Sequence, residues 1–254
     1  MKETFLKKYG ALIVASILFL TLGFIYCAPS LQGKVLQSSD DVNAVSAVQE
    51  SLRYTRETGD YTFWNGAVFS GMPNYQIGGG TYKAERLIRP LIKFSKRGTT
   101  HPAWIIIFYL FSFYFLLRTF DIDKWLSIAG AAAIAFSSYF IVIIAAGHGG
   151  KTIAISFISL VAAGFYLIFR KKKYQLGLVM TMLFTCVGFT IHPQMSYYLF
   201  MMIGTFWLAE LWIHIKEKRY RDFILATALF AAGVVIGLGT RSANVLATEE
   251  YTLT

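Results

Sequence analysis

Side chains that can bind ions or exchange protons follow the ends of alternate apolar stretches in this sequence. They are Asp40, Asp41, His148, Lys151, His192, Gln194, Glu249 and Glu250. Carboxylates, imidazoles and amines are groups that enzymes use for proton transfer and for stabilising charge. If the apolar stretches cross a membrane, the first, third, fifth and seventh end on the same face. The pattern therefore predicts that these polar groups can converge into one site.

Recognisable motifs of soluble enzymes are missing from the sequence. It contains no Walker loop, no GxGxxG fingerprint, no HExxH and no GxSxG motif. Nucleotide and hydrolase chemistry of the soluble type therefore has no support. The two cysteines, Cys27 and Cys186, are far apart in the chain and predict neither a disulfide framework nor a metal site.

Each of the polar residues also has a purely structural alternative. Asp40 could cap a helix, and Lys151 could extend its ammonium group to the membrane interface. His192 precedes Pro193 and could simply end a helix. Asp41 is interpreted as a solvated residue in a first helical turn. What favours a site over these alternatives is the confinement of the polar groups to one face.

The apolar residues predict an all-α polytopic membrane protein. The chain has 254 residues, of which 56% are hydrophobic and 15% charged, whereas a soluble domain carries about 25% charged residues. A spanning helix needs about 20 mostly apolar residues. The stretches that meet this description are 11–26, 102–117, 125–146, 152–169, 174–191, 196–215 and 223–238. We therefore expect a single transmembrane domain over residues 1–254, with about seven spans.

The placement of charge predicts the topology. The formal net charge is +10, and the basic clusters lie at the N-terminus and after the second, fourth and sixth stretches. The basic residues in the loops after the third and fifth stretches are only Lys151 and two histidines, His148 and His192. The positive-inside rule places the N-terminus and the basic loops in the cytoplasm. Because the charges flank spans, a nucleic-acid interface is not expected.

Residues 28–101 form a long first loop, which this topology places outside the cytoplasm. A helix is predicted over 41–57, with Ser39 or Asp40 as its cap. Its apolar face would consist of Val42, Val45, Val48 and Leu52. The basic amphipathic segment 83–97 is suited to the lipid headgroup region, either as an anchor on anionic lipid or as part of a specific site. We therefore expect interfacial helices within this loop.

Short motifs along essentially the whole chain follow a known pattern. Those before the third span are Gly33-Lys34-Val35-Leu36-Gln37, Asp40, Glu50, Thr58-Gly59, Trp64-Asn65 and Phe69-Ser70-Gly71-Met72-Pro73-Asn74-Tyr75-Gln76. The later ones are Ser137-Ser138-Tyr139, Ala146-Gly147-His148, Lys151, His192-Pro193-Gln194, Tyr197-Tyr198 and Glu250-Tyr251. With these motifs the chain resembles the YfhO-like bacterial membrane proteins, which have the GT-C architecture of lipid-sugar-dependent glycosyltransferases. Asp41 stands where a hydrophobic residue is expected, so the family aspartate is assigned to Asp40. Family members are several times longer than this chain.

The resemblance implies a glycosyltransferase of the bacterial cytoplasmic (inner) membrane. Such an enzyme transfers a sugar from a polyprenyl phosphate to an acceptor outside the cytoplasm. Asp40 would be the base on the acceptor hydroxyl, with Glu50 as a helper. The implied substrate-binding residues are Trp64 and Tyr75 on the sugar, His148, Lys151 and His192 on the phosphate, and Gln76 and Gln194 as further contacts. Some GT-C enzymes use a divalent metal, and no ligand set in this sequence requires one.

Two other functions stay open at this point. A lipid-linked sugar transporter or flippase would place ionisable groups at mid-membrane, where this sequence has almost none. A non-catalytic membrane scaffold is also compatible, because a fold does not establish an activity. If the chain is an enzyme, we expect Asp40 to lie within roughly 10–15 Å of His148 or His192, in a cavity open to the outer leaflet.

Overall fold

The computed structural model describes residues 5–77 and 101–253, which form twelve helices and one two-stranded antiparallel sheet. In chain order the elements are α1 (Phe5–Tyr26), α2 (Ala28–Leu31), α3 (Ser39–Thr58), β1 (Trp64–Asn65), β2 (Met72–Pro73), α4 (Asn74–Ile77), α5 (Pro102–Thr119), α6 (Lys124–Ala135), α7 (Ser138–Ala145), α8 (Gly149–Phe169), α9 (Tyr174–Ile191), α10 (Pro193–Lys216), α11 (Tyr220–Gly239) and α12 (Ser242–Leu253). The fold is thus almost entirely helical over the described residues.

Long apolar helices confirm the predicted all-α membrane fold. In the described part of the chain, six of them are long and apolar enough to cross a membrane, namely α1, α5, α8, α9, α10 and α11. The helices α6 and α7 pass the same test together but are bent by 46° at the break between them. The predicted third span over 125–146 is therefore a bent pair of helices, and the described residues contain six spans, or seven if this pair is counted as one.

The break between α6 and α7 lies at two consecutive serines. Ser137 has an extended backbone (φ −62°, ψ 146°), and α7 starts in a new direction at Ser138. Serine is a weak helix former because its hydroxyl competes for backbone hydrogen bonds. On the α6 side, Phe136 packs edge-on against Tyr26 of α1 with ring centroids 5.3 Å apart. A count of apolar residues does not detect such a break, since both halves are apolar.

The centre of the bundle is α8. Of its span, 83% is buried inside the protein, against 22–50% for the other five unbroken spans. It packs against α9 through Gly164 and Gly177. A Cβ added at Gly177 would lie 2.8 Å from the carbonyl oxygen of Gly164 and 2.5 Å from Cγ1 of Ile168. Small residues at such a contact let two helix backbones approach closely.

The helix α3 is longer at its start than the sequence predicted. It begins at Ser39, so Ser39 and Asp40 both lie inside the helix and neither is its cap. Its predicted apolar face is largely exposed, with Val42, Val45 and Leu52 between 43% and 57% accessible. The basic segment 83–97 and the side chain of Asp41 lie outside the described residues.

Buried amides connect α3 to the rest of the first loop. The Asn65 side chain donates to the carbonyl oxygen of Ala47 in α3 at 2.7 Å. The Asn74 side chain donates to the carbonyl oxygen of Thr62 at 2.9 Å, beside the β1–β2 pair in which Trp64 lies opposite Pro73. The segment between α3 and α4 is therefore a hydrogen-bonded unit that rests on α3.

At the opposite end of the bundle, basic residues after α8 hold three neighbouring elements. The ion pairs are Arg170 with Glu210 of α10 at 2.5 Å, Lys171 with Asp121 after α5, and Lys172 with Asp222 of α11 at 2.6 Å. The hydrogen bond to the Asp222 carboxylate raises the pKa of Lys172. These contacts position the chain between α8 and α9 against three other spans.

Replacing Gly177 with alanine is predicted to destabilise the bundle, because the added methyl group overlaps a backbone carbonyl that cannot move aside alone. Overpacking of this kind costs about 1–3 kcal/mol. The measurement is the thermal unfolding midpoint in detergent. Gly204 of α10 is the matched control, since a Cβ there would meet nothing within 4 Å. A Gly177→Ala midpoint equal to that of Gly204→Ala would contradict the close contact.

Candidate functional site

The candidate site is built around the start of α8. Gly147 has a φ of +86°, in the left-handed region that glycine tolerates, and reverses the chain after α7. His148 then takes the position before the first helical residue. Its side chain does not cap the helix. The imidazole is therefore available for a partner on another element.

That partner is Asp40. Its Oδ2 lies 2.9 Å from Nδ1 of His148, and both side chains are 47% exposed. Asp40 is in the first turn of α3, immediately after a loop that leads from α1. The contact therefore joins the beginning of the first loop to the beginning of the central span. The sequence predicted Asp40 within roughly 10–15 Å of His148 or His192, and the contact with His148 is well inside that limit.

Lys151 and His192 flank this pair. Lys151 is three residues after His148, and residues at this spacing share a helix face. Its ammonium nitrogen lies 5.6 Å from the ring centre of Tyr139 in α7. Gly150 packs against the end of α9, where an added Cβ would be 3.8 Å from Cδ2 of His192. Four predicted residues from three segments of the chain are thus brought to one end of the bundle.

His192 is the most enclosed group of the four. Its Nδ1 is buried and has no hydrogen-bond partner among the described residues. Burial is the main reason that its pKa is lowered, and the nearby Lys151 and His148 lower it further. A neutral imidazole is therefore favoured at neutral pH. With Asp40 as an anion and Lys151 as a cation, the cluster combines a proton acceptor, a fixed positive charge and an unpaired polar nitrogen.

Glu50 is not part of this cluster. It follows Asp40 by ten residues in the same helix, which corresponds to about 15 Å along the axis. Its carboxylate lies beside Gly66, where an added Cβ would be 3.8 Å from Oε2. The geometry therefore does not support Glu50 as a direct helper of Asp40.

Trp64 also has its described contacts elsewhere. Its indole packs over Gly71, where an added Cβ would be 2.7 Å from Nε1. Its ring lies edge-on to Tyr251 of α12 with centroids 6.4 Å apart. About half of its surface is exposed, at 52%. Trp64 therefore links the first loop to α12 and presents a free aromatic face, and none of its described contacts is with Asp40 or His148.

The remaining predicted substrate-binding residues lie on the same side of the bundle. The Tyr75 hydroxyl is buried without a hydrogen-bond partner among the described residues. Gln76 is exposed in the short helix α4. Gln194 is exposed at the start of α10, where its Nε2 donates to the hydroxyl of Tyr198 at 2.9 Å. Their predicted roles toward a substrate stay predictions.

A charged cluster within α10 was missed by the sequence analysis. The Glu210 and His214 side chains are only 8% and 3% exposed, with Glu210 Oε2 3.6 Å from His214 Nδ1. Arg170 reaches the other carboxylate oxygen of Glu210. The i, i+4 spacing of Glu210 and His214 is visible in the sequence and places them on one helix face. The cluster is nonetheless at the end of the bundle remote from Asp40.

A metal ion would need a group of His, Cys, Asp or Glu side chains as ligands. Within residues 5–77 and 101–253, no group of three or more His, Cys, Asp or Glu side chains is arranged to hold a metal ion. Asp40 and His148 make a pair without a third such ligand. Proton transfer and charge stabilisation are therefore the chemistry that the described side chains themselves can supply.

Comparison of the chain with protein-family models, with curated proteins and with solved structures found no match. The case for a function therefore rests on the residues and their geometry.

Proposed function

We propose that this chain is a GT-C-type membrane glycosyltransferase related to the YfhO-like proteins. It would transfer a sugar from a polyprenyl-phosphate donor to an acceptor outside the cytoplasm of a bacterial cell. The observation that carries the proposal is the cluster of Asp40, His148, Lys151 and His192 at the end of the bundle where α7, α9 and the first loop meet. It brings a proton acceptor within reach of a cationic group.

Sugar transfer from a lipid phosphate needs both kinds of group. The acceptor hydroxyl must lose a proton as it attacks the sugar. The phosphate that leaves must be stabilised while its negative charge develops. Asp40 and His148 supply the proton-accepting side of the cluster, and Lys151 supplies a fixed positive charge. His192, whose pKa is lowered by burial and by the neighbouring Lys151 and His148, is the further predicted contact of the phosphate.

The location of the cluster agrees with a lipid-borne substrate. It lies at the ends of spans, where the polar headgroups of a bilayer would be. Half-exposed side chains at that level are accessible to a donor that moves laterally in the membrane. Tyr139, beside Lys151, is 51% exposed and Val142 of the same helix is 62% exposed. This face of α7 offers apolar surface next to the cationic group.

A lipid-linked sugar transporter is the second candidate, because Glu210 and His214 are buried ionisable groups inside α10. Transporters place such groups on the substrate path near mid-membrane. Glu210, however, is six residues from the end of α10, about 9 Å along the axis, and it is neutralised by Arg170. We therefore favour a structural role for this cluster.

The proposed orientation puts the N-terminus and the basic ends of α8 and α10 in the cytoplasm. A single cysteine at Gln194 should then react with a membrane-impermeant maleimide in intact spheroplasts, whereas one at Lys172 should react only after permeabilisation. Both positions are exposed. The native Cys27 and Cys186 are buried and would be replaced by alanine to remove background. Labelling at Lys172 from outside would reverse the orientation.

The enzymatic proposal predicts that Asp40→Asn lowers sugar transfer by about 10²–10⁴-fold, the usual contribution of a proton-transfer group. The assay follows label from a panel of polyprenyl-phosphate sugars into polymer in membranes that contain the full-length protein. Asp60→Asn is the matched control, because Asp60 lies in an exposed loop beyond α3.

Two results would count against this proposal. Equal activity of Asp40→Asn and wild type would remove Asp40 from the chemistry. No transfer by the wild-type protein from any donor in the panel would favour the scaffold alternative.

A further inference from the structure

The contact between Asp40 and His148 has a defined atomic direction. The carboxylate oxygen Oδ2 meets Nδ1 of the imidazole at 2.9 Å. A carboxylate oxygen this close to a ring nitrogen favours a proton on that nitrogen by charge attraction, and this selects the Nδ1–H tautomer of a neutral imidazole. The other nitrogen, Nε2, then carries a lone pair. Among the described residues nothing donates to Nε2, and the side chain is 47% exposed.

We propose that His148 is the general base of the transfer reaction and that Asp40 is a positioning residue for it. The inference rests on the proposed function and changes the assignment of roles within it. The sequence placed Asp40 on the acceptor hydroxyl and His148 on the phosphate. The direct contact instead occupies Asp40 Oδ2 with His148 and leaves His148 Nε2 free to face a substrate.

The proposed step is balanced in atoms and charge. The acceptor hydroxyl oxygen bonds to the anomeric carbon of the sugar while its proton moves to Nε2 of His148. The bond between that carbon and the phosphate oxygen breaks, and its electron pair leaves with the lipid phosphate. The imidazolium afterwards releases its proton to water. Asp40 stays ionised, and its negative charge beside Nδ1 stabilises the imidazolium.

The groups around His148 make this division of roles necessary. Lys151 on α8 and His192 at the end of α9 are the nearby basic groups, and a cation beside an imidazole opposes its protonation. Asp40 on α3 supplies the opposing negative charge. Lys151 is held beside Tyr139 of α7, on the side where the departing phosphate gains charge. The carboxylate thus supports the base while the ammonium group supports the leaving group.

The test compares four forms of the full-length protein in the membrane transfer assay, namely wild type, His148→Ala, Asp40→Asn and the double variant. We expect His148→Ala to lower the transfer rate by about 10²–10⁴-fold. Added imidazole should raise the rate of this variant at least about tenfold. Added imidazole should not restore Asp40→Asn. The double variant should be no slower than His148→Ala, because both residues act through the same imidazole.

The pH profile supplies a readout that a structural role would not change. We expect the acid limb of the wild-type rate profile to be lost in His148→Ala, because the group whose protonation produces it is then absent. A carboxylate base at Asp40 would leave that limb in place. His101→Ala is the matched control, since His101 is an exposed histidine at the start of α5, and it should match wild type with and without imidazole.

The outcomes test separately the proposed function and the Asp40–His148 dyad, in which His148 is the base and Asp40 positions it. Transfer by wild type together with full activity of His148→Ala would overturn the dyad alone. An acid limb that His148→Ala retains, with no rescue by imidazole, would return the base to Asp40 and also overturn the dyad. Absence of transfer by wild type from every donor would overturn the proposed function, and the dyad with it. A His148→Gln variant with a wild-type unfolding midpoint excludes misfolding as the cause of a loss.

Discussion

The close approach of α8 and α9 is the constraint on which the rest of the structure depends. Gly164 and Gly177 allow the two backbones to touch, and α8 is therefore enclosed by other spans over most of its length. At the other end of the same two helices, Gly150 of α8 lies against Ile191 and His192, where an added Cβ would be 3.5 Å from the carbonyl oxygen of Ile191. The packing of α8 on α9 therefore continues to the level of the candidate site.

The second requirement is that α3 reaches this central pair from outside the bundle. Asp40 stands in the first turn of α3, and its carboxylate meets the residue immediately before α8. The residue before it, Gly147, has a positive φ that glycine tolerates. The polar site is thus assembled from the central pair of helices, which positions His148, Lys151 and His192, and from α3, which adds Asp40.

Much of the fold and part of the site could be predicted from the sequence. The apolar stretches were sufficient to predict the spans. The alternating direction of successive spans was sufficient to predict that Asp40, His148, Lys151 and His192 lie at one face. The break at Ser137 was not predictable from hydropathy, because both halves of the span are apolar. The direct contact of Asp40 with His148 was not predictable either, since it depends on the path of the loop between α1 and α3.

Glu50 shows where a sequence argument could have gone further. Once residues 41–57 were assigned to a helix, ten residues between two carboxylates implied about 15 Å of separation along its axis. That distance excludes a shared proton-transfer role without any structure. Trp64 is different, because its position over Gly71 and beside Tyr251 joins distant parts of the chain, and no local spacing indicates it.

The two ion-pair clusters at the ends of the bundle differ in a way that bears on function. Glu210 is 6% exposed, and removal of a partner from a buried pair leaves an uncompensated charge, which is strongly destabilising. Asp40 and His148 are each 47% exposed, and pairs exposed to this degree contribute only about 0–1 kcal/mol to stability. The fold therefore gains little from the Asp40–His148 contact, whereas it depends on Glu210. A contact that contributes so little to stability, yet orients an imidazole beside a cation at the level of the lipid headgroups, has the properties expected of a group positioned for chemistry.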